Sequence, residues 1–405
     1  MFHDTPLISI LVVGLSLACI LGTLAHRFKI SPIAGYLLAG ILVGPHTPGY
    51  VADQSIALEL AELGVILLMF GVGLHFSVKD LLSVRKIAIP GAIGQVVIST
   101  LLGFGLAHGM GWSLGASIVF GLALSVASTV VLMRNLRERK LLDSENGKIA
   151  IGWLIVQDIL MIFVLVLLPA ILPLLDEKTI QNGLSADELQ NLGITLGITL
   201  GKVAAFVALM LLLGRKLIPM VLQYVDSTGS RELFRLCVLS IALSVAFVAA
   251  KLFGVSFALG AFFAGMILSE SELSHRAAEE TLPLRDAFAV LFFISMGMLF
   301  NPDIILNRPW HVAATVGVIM LGQSLAAWAM VLLFRQKMGV ALFMASSLGQ
   351  IGELSFILAG LGITLGVLNE QSRDLILAGA MISILLNPAL FYVFKSMRRP
   401  DAPAS

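Results

Sequence analysis

Long apolar runs alternate with short polar clusters along the whole chain. A helix that crosses the hydrocarbon of a bilayer needs about 20 mostly apolar residues, within a range of roughly 17 to 25. Thirteen runs are candidates. The first six lie at approximately Leu7–Ala25, Ile30–Gly44, Ile56–Leu74, Ile87–His108, Ser113–Met133 and Ile149–Leu175. The other seven lie at Ile194–Leu222, Leu233–Leu252, Val255–Leu268, Asp286–Phe300, Val312–Phe334, Val340–Leu365 and Leu375–Phe394. The second, ninth and tenth are short, and only Lys251-Leu-Phe-Gly254 separates the eighth from the ninth. The pattern predicts an all-α bundle of about thirteen spans.

Composition sharpens this picture. Of 405 residues, 58% are hydrophobic and 13% charged, with a mean hydropathy of +0.98. Soluble domains carry about 25% charged residues, so a soluble enzyme, a disordered hub and a nucleic-acid-binding surface are excluded. The net charge of +1 matters less than where the 26 basic residues sit. Cytoplasmic loops hold the excess of Lys and Arg. With the N-terminus outside and thirteen spans, all basic residues but Lys178, Lys202, Lys251, Arg308 and Arg373 fall inside. A miscounted helix would invert every later loop and erase that asymmetry. The expectation is therefore one polytopic membrane domain over residues 1–394, N-out and C-in, followed by a cytoplasmic tail over 395–405. Met1-Phe-His-Asp-Thr-Pro6 offers no basic segment ahead of the first run, which reads as a retained helix and not a cleaved signal. Cys19 and Cys237 both lie in apolar runs and give no disulfide framework or zinc site. The seven histidines fall near loops or helix ends, so no metal or nucleophile constellation forms at depth and no enzyme is expected.

Ionisable side chains inside a bilayer cost at least ~2.5–3.5 kcal/mol and mark function. Four carboxylates lie deep within runs: Glu59 and Glu62 in the third, Asp158 in the sixth and Glu353 in the twelfth. Asp158, preceded by Gln157, sits near the midplane, whereas Glu59 and Glu62 lie toward the outer end and suit a structural or dimer contact. Two runs are interrupted by polar and small residues. The fifth holds Ser125-Val-Ala-Ser-Thr129, and the twelfth Ser346-Ser-Leu-Gly-Gln-Ile-Gly-Glu353. Non-helical backbone survives at this depth only where protein or a water-filled cavity satisfies it, and broken helices at matching places in two halves point to a transporter site. The halves echo each other: Ile30-Ser-Pro-Ile-Ala-Gly-Tyr-Leu-Leu-Ala-Gly40 resembles Val255-Ser-Phe-Ala-Leu-Gly-Ala-Phe-Phe-Ala-Gly265. Each opens a five-helix stretch whose fourth member is broken. Seven spans separate the two starts, so the second repeat begins on the opposite side of the membrane: an inverted repeat.

Several of these segments resemble the Kef-type monovalent cation:proton antiporters, of the second cation:proton antiporter family, and within them the YbaL/RosB-like branch of potassium:proton antiporters. The resemblance rests on Pro32–Pro45, Glu62–Leu74, Ala127-Ser-Thr-Val-Val131, Gln157-Asp158 and Gly349-Gln-Ile-Gly-Glu-Leu-Ser-Phe356, in that order. It covers essentially the whole chain. It implies a sodium/proton-antiporter-like fold with two crossed discontinuous helices, here the fifth and twelfth spans, and Asp158 beside the crossing. Spans 1–3 and 7–10 would form a dimerisation scaffold, spans 4–6 and 11–13 a moving transport unit. A homodimer in the bacterial inner membrane is implied. Three departures stand out. Gln157 replaces the first acidic residue that many relatives carry beside Asp158. Gln323 stands where electrogenic relatives have a lysine. Many relatives also append a cytoplasmic nucleotide-binding domain, and no Gly-x-Gly-x-x-Gly pattern follows Phe394. A separate regulatory subunit is left open as a partner, and Ser269–Glu280 matches the regulatory loop position.

The chemistry needs one group that holds a proton or a monovalent cation, never both, and an aspartate at low dielectric suffices. Asp158, Gln157, Thr129 and Ser128 are the expected ion and proton site, with Glu353, Gln350, Gln323 and Ser125 supporting it. No cofactor is expected, and no metal beyond the transported cation. The expected function is secondary, electroneutral exchange of a monovalent cation for H+, with Asp158 binding proton and cation alternately. K+ is favoured by resemblance; Na+ exchange and a gated K+ channel remain alternatives.

Overall fold

The computed structural model describes residues 5–28, 30–48, 51–74, 78–138, 140–141, 144–172 and 186–396. The first half holds α1 (Pro6–Arg27), α2 (Pro32–Val43), α3 (Gln54–Leu74), α4 (Val78–Gly109), α5 (Leu114–Ala123), α6 (Thr129–Glu138) and α7 (Glu145–Ile171). Then come α8 (Ala186–Leu209), α9 (Arg215–Asp226), α10 (Arg231–Phe253), α11 (Phe257–Ser269), α12 (Ser274–Met298) and α13 (Asp303–Asn307). The last five are α14 (Pro309–Gly317), α15 (Gln323–Leu333), α16 (Met338–Leu348), α17 (Glu353–Thr364) and α18 (Glu370–Ser396). Among the described residues there is no strand, only one isolated antiparallel bridge between Ala127 and Ile351. Among the described residues, eight helices are long and apolar enough to cross a membrane, nine if the bent α12 is one span, and five shorter apolar helices accompany them.

Local chemistry sets the boundaries. Gly254 adopts φ +63 after α10, a conformation that costs glycine little, and the Ser256 hydroxyl accepts from the Leu259 N–H to start α11. That pair of signals is why four residues suffice to separate the eighth and ninth spans. The tenth span is longer than the hydropathy pattern predicts. α12 begins at Ser274 and bends by 47° between Ser274–Thr281 and Pro283–Met298, because Pro283 cannot continue the backbone ladder. α14 and α15 are joined by a π-helical turn at Val318–Gly322, directly before Gln323. In the twelfth span Ser346 and Ser347 remain helical. Their hydroxyls donate to the Phe343 carbonyl at 2.9 and 2.7 Å, so these polar residues are satisfied within the turn and the helix ends only at Leu348.

Helix pairs related by the sequence echo pack through glycines. α2 meets α12 at Gly40 and Gly297, where a Cβ on Gly40 would sit 2.8 Å from the Gly297 Cα. α3 meets α11 at Gly73 and Gly265 in the same way, each Cβ 3.0 Å from the other's Cα. Gly40 and Gly265 are equivalent positions in the two echoed segments, and small residues at such crossings let backbones approach closely. Further close packing joins α4 to α5 and α7, α15 to α16 and α4, and α17 to α5. Large apolar side chains such as Leu212, Leu252, Leu333 and Trp310 point outward, as lipid-facing helices require.

Candidate functional site

The fifth and twelfth spans break and meet. α5 ends at Ala123 and α6 starts at Thr129; α16 ends at Leu348 and α17 starts at Glu353. The two extended breaks pair through the bridge between Ala127 and Ile351. Close approach here depends on Gly352, since a Cβ at that position would lie 2.6 Å from the Ser128 Cα. The N-termini of α6 and α17 face this crossing, and their partial positive charge favours an anionic group beside them.

A break at this depth frees backbone donors and acceptors, and each one left unmatched costs free energy. Four glutamine side chains match them. Gln350 accepts from the Ser128 N–H at 3.1 Å and donates to the Ser128 carbonyl at 3.2 Å, mimicking a strand neighbour. Gln157 accepts from the Ala127 N–H at 3.3 Å. Gln95, on α4, donates to the Ser125 carbonyl at 3.2 Å. Gln323 donates to the Leu124 carbonyl at the C-terminal end of α5. All four glutamines are 0 % exposed. Ser125 also turns its hydroxyl to the Leu122 carbonyl at 2.8 Å, and the Ser128 hydroxyl accepts from the Val131 N–H at 3.3 Å, capping α6.

Asp158 is 3 % exposed on α7, one residue beyond Gln157. Its Oδ2 accepts from the Thr129 hydroxyl at 3.1 Å, which brings a carboxylate to the first residue of α6. Thus Asp158, Gln157, Thr129, Ser128, Ser125, Gln350 and Gln323, drawn from four separate stretches of sequence, converge on one crossing. Glu353 opens α17 at that crossing, and its side chain lies outside the described residues. Nearby, Asn135 on α6 donates to Asn387 on α18 at 2.9 Å, and Asn387 donates to the Ser346 carbonyl at 3.3 Å. Sequence reading missed Gln95 and Asn387. Both are lone amides in apolar runs, and only their depth could have drawn attention to them.

Glu59 and Glu62 are not part of this site. Both are exposed on α3 and line a cavity of about 630 Å³ with Leu63, Leu243, Phe247 and Phe257. Elsewhere, Arg276 pairs with Asp226 and stacks over Phe234, and Arg215 pairs with Glu270 at 3.0 Å, which ties Ser269–Glu280 to α9 and α10.

Comparison with known proteins agrees with this geometry. The profile of the transmembrane sodium/hydrogen exchanger family matches residues 14–392. YbaL of Escherichia coli (strain K12), provisionally described as a cation/proton antiporter, is 59% identical over 391 residues, 96% of this chain and 69% of that protein. K(+) efflux antiporter 4 of Arabidopsis thaliana is 32% identical over 392 residues, 96% of this chain and 64% of the plant protein. Among solved structures, the sodium proton antiporter MjNhaP1 from Methanocaldococcus jannaschii superposes with a TM-score of 0.72 at 17% identity, covering 96% of this chain and 98% of that one. That likeness is one of fold.

Proposed function

Because the chain belongs to the transmembrane sodium/hydrogen exchanger family, we propose that this multi-pass membrane protein exchanges K+ for H+ with Asp158 as the alternating site. Cation/proton antiport is the activity of the family; the choice of K+ and the role of Asp158 are the proposal. The observation that carries it is a carboxylate, nearly inaccessible, at the meeting point of two broken helices and hydrogen-bonded to Thr129. A carboxyl in low dielectric is neutral when it holds a proton, and a bound cation neutralises it equally well. The two ligands therefore compete for one group. The Thr129 hydroxyl and the second lone pair of the Gln157 oxygen supply hard ligands that replace part of the cation's hydration shell.

Alternating access follows if one body of helices moves against another. The packing supports the division expected from sequence. α2 packs on α12 and α3 on both α12 and α11, whereas α4 packs on α5, α7 and α15, and α17 packs on α5 and α7. The first group, with α1 and α8 to α10, is the fixed scaffold and homodimer contact of this reading; the second carries Asp158. K+ is favoured over Na+ by the likeness to the plant K(+) efflux antiporter. The test is collapse of an imposed pH gradient in proteoliposomes by K+, Na+, Li+ and Rb+ in turn. Saturable collapse by K+ at the lowest concentration is expected. Preference for Na+ or Li+ would overturn the choice of ion, and cation flux without proton movement would overturn antiport.

A further inference from the structure

Gln95 is an uncharged amide buried in the interior of α4, 0 % exposed, in a stretch otherwise apolar or small. Its partners form a closed circuit. The Ala127 N–H donates to the Gln157 oxygen at 3.3 Å. The Gln157 Nε2 donates to the Gln95 oxygen. The Gln95 Nε2 donates to the Ser125 carbonyl at 3.2 Å and to the Ser99 hydroxyl at 3.1 Å. The circuit leaves the break of the fifth span at Ala127, passes through two neighbouring helices, and returns to the same break two residues earlier.

Only one orientation of each amide is consistent with this circuit. Flipping Gln157 would set its NH2 against the Ala127 N–H and its oxygen against the Gln95 oxygen. Flipping Gln95 would set oxygen against the Ser125 carbonyl. The register is fixed one turn away, where Gly91 on α4 lets the Trp153 ring of α7 lie against the helix backbone. Gln95 follows Gly91 by four residues, and Gln157 follows Trp153 by four, so the close approach brings both amides into hydrogen-bonding reach.

Resting on the reading of Asp158 as the alternating site, we propose that Gln95 is a positioning residue for cation/proton exchange: it orients the Gln157 amide and holds the break that carries Thr129 against Asp158. It does so as a neutral group that donates and accepts at once, which an ionised carboxylate cannot do.

That property gives the test. In Gln95→Glu the protonated acid reproduces the amide, its hydroxyl donating to Ser125 and its carbonyl accepting from Gln157. The ionised form offers acceptors only and opposes the Ser125 carbonyl. Exchange is measured in proteoliposomes from pH 5.5 to pH 9 and scored at each pH as a ratio to wild type, because H+ is a substrate of both proteins. The expected ratio is near one at the acid end and falls by about tenfold at the alkaline end, reversibly, as the loss of a buried hydrogen bond to a polar group predicts. Gln95→Leu should raise the half-saturating cation concentration by about tenfold at every pH. A flat Gln95→Glu ratio overturns the inference, as does an unchanged half-saturation in Gln95→Leu. Should Gln95→Leu fail to insert, the reversible Gln95→Glu titration decides alone. Asp158→Asn is run alongside. If it still exchanges, the reading of Asp158 fails; if it is inactive while both Gln95 variants match wild type, only the role of Gln95 fails.

Discussion

The Thr129 hydroxyl donates to a carboxylate that is almost wholly out of reach of water. Hydrogen bonds to a charged group contribute about 1.5–3 kcal/mol, and every 1.4 kcal/mol is about tenfold in affinity. Thr129→Val keeps the volume and removes the donor, so the half-saturating cation concentration is expected to rise by about tenfold or more, whereas Thr129→Ser should stay within about threefold of wild type. Concentration dependence of pH-gradient collapse measures both. Equal behaviour of Val and Ser would show that the hydroxyl takes no part. The sequence made Asp158 and Thr129 legible because a carboxylate and a polar cluster within apolar runs are conspicuous. It did not show that 158 and 129 touch, nor that Gln95 belongs with Gln157. An amide carries no charge signal, and Gln95 lies 30 residues from Ser125 and 62 from Gln157.

At the scale of elements, the breaks are made stable by side chains that imitate backbone. Gln350 reads both the N–H and the carbonyl of Ser128, as a neighbouring strand would. The two breaks can come this close because residue 352 has no side chain. Gly352→Ala would force the breaks apart, and since the obstacle is the Ser128 backbone and not a flexible tip, no rotamer change relieves it. The variant is expected to insert and to elute in size exclusion as wild type does, yet to lose more than about tenfold in exchange rate. Wild-type exchange would show that the crossing tolerates separation. Where the sequence expectation placed polar interruption at Ser346 and Ser347, the helix persists, because serine in an apolar helix satisfies itself on the preceding turn. Composition alone cannot separate a self-satisfied serine from one that ends a helix.

The whole molecule repeats one plan twice. The glycine contacts at Gly40–Gly297 and Gly73–Gly265 are equivalent to each other under the sequence echo, and hydropathy alone marked nearly every apolar helix. Bends and extensions, such as the start of α12 at Ser274, were hidden because charged residues lie on and around them between Ser269 and Asp286. Charge per cycle is a property of the assembled site. Gln157 and Gln323, both neutral, stand beside the break, and each is engaged in holding it. If Asp158 is the one alternating carboxylate, as proposed, the exchange is expected to be one-for-one and electroneutral. Each net charge moved would be worth ~2.3 kcal/mol per 100 mV, so an imposed potential discriminates sharply. With K+ and H+ concentrated on the same side of the membrane by the same ratio, net flux should be zero at every voltage; a reversal point that moves with voltage would establish a second transported charge.

The central claim is that Asp158 holds the cation and the proton in turn. It is tested most directly by reconstituting Asp158→Asn, which keeps the side-chain volume and an oxygen able to accept from Thr129, and following K+ flux and proton flux together in the same vesicles. The account predicts a protein that inserts normally and moves neither ion in a coupled way. Coupled exchange at the wild-type rate would contradict it.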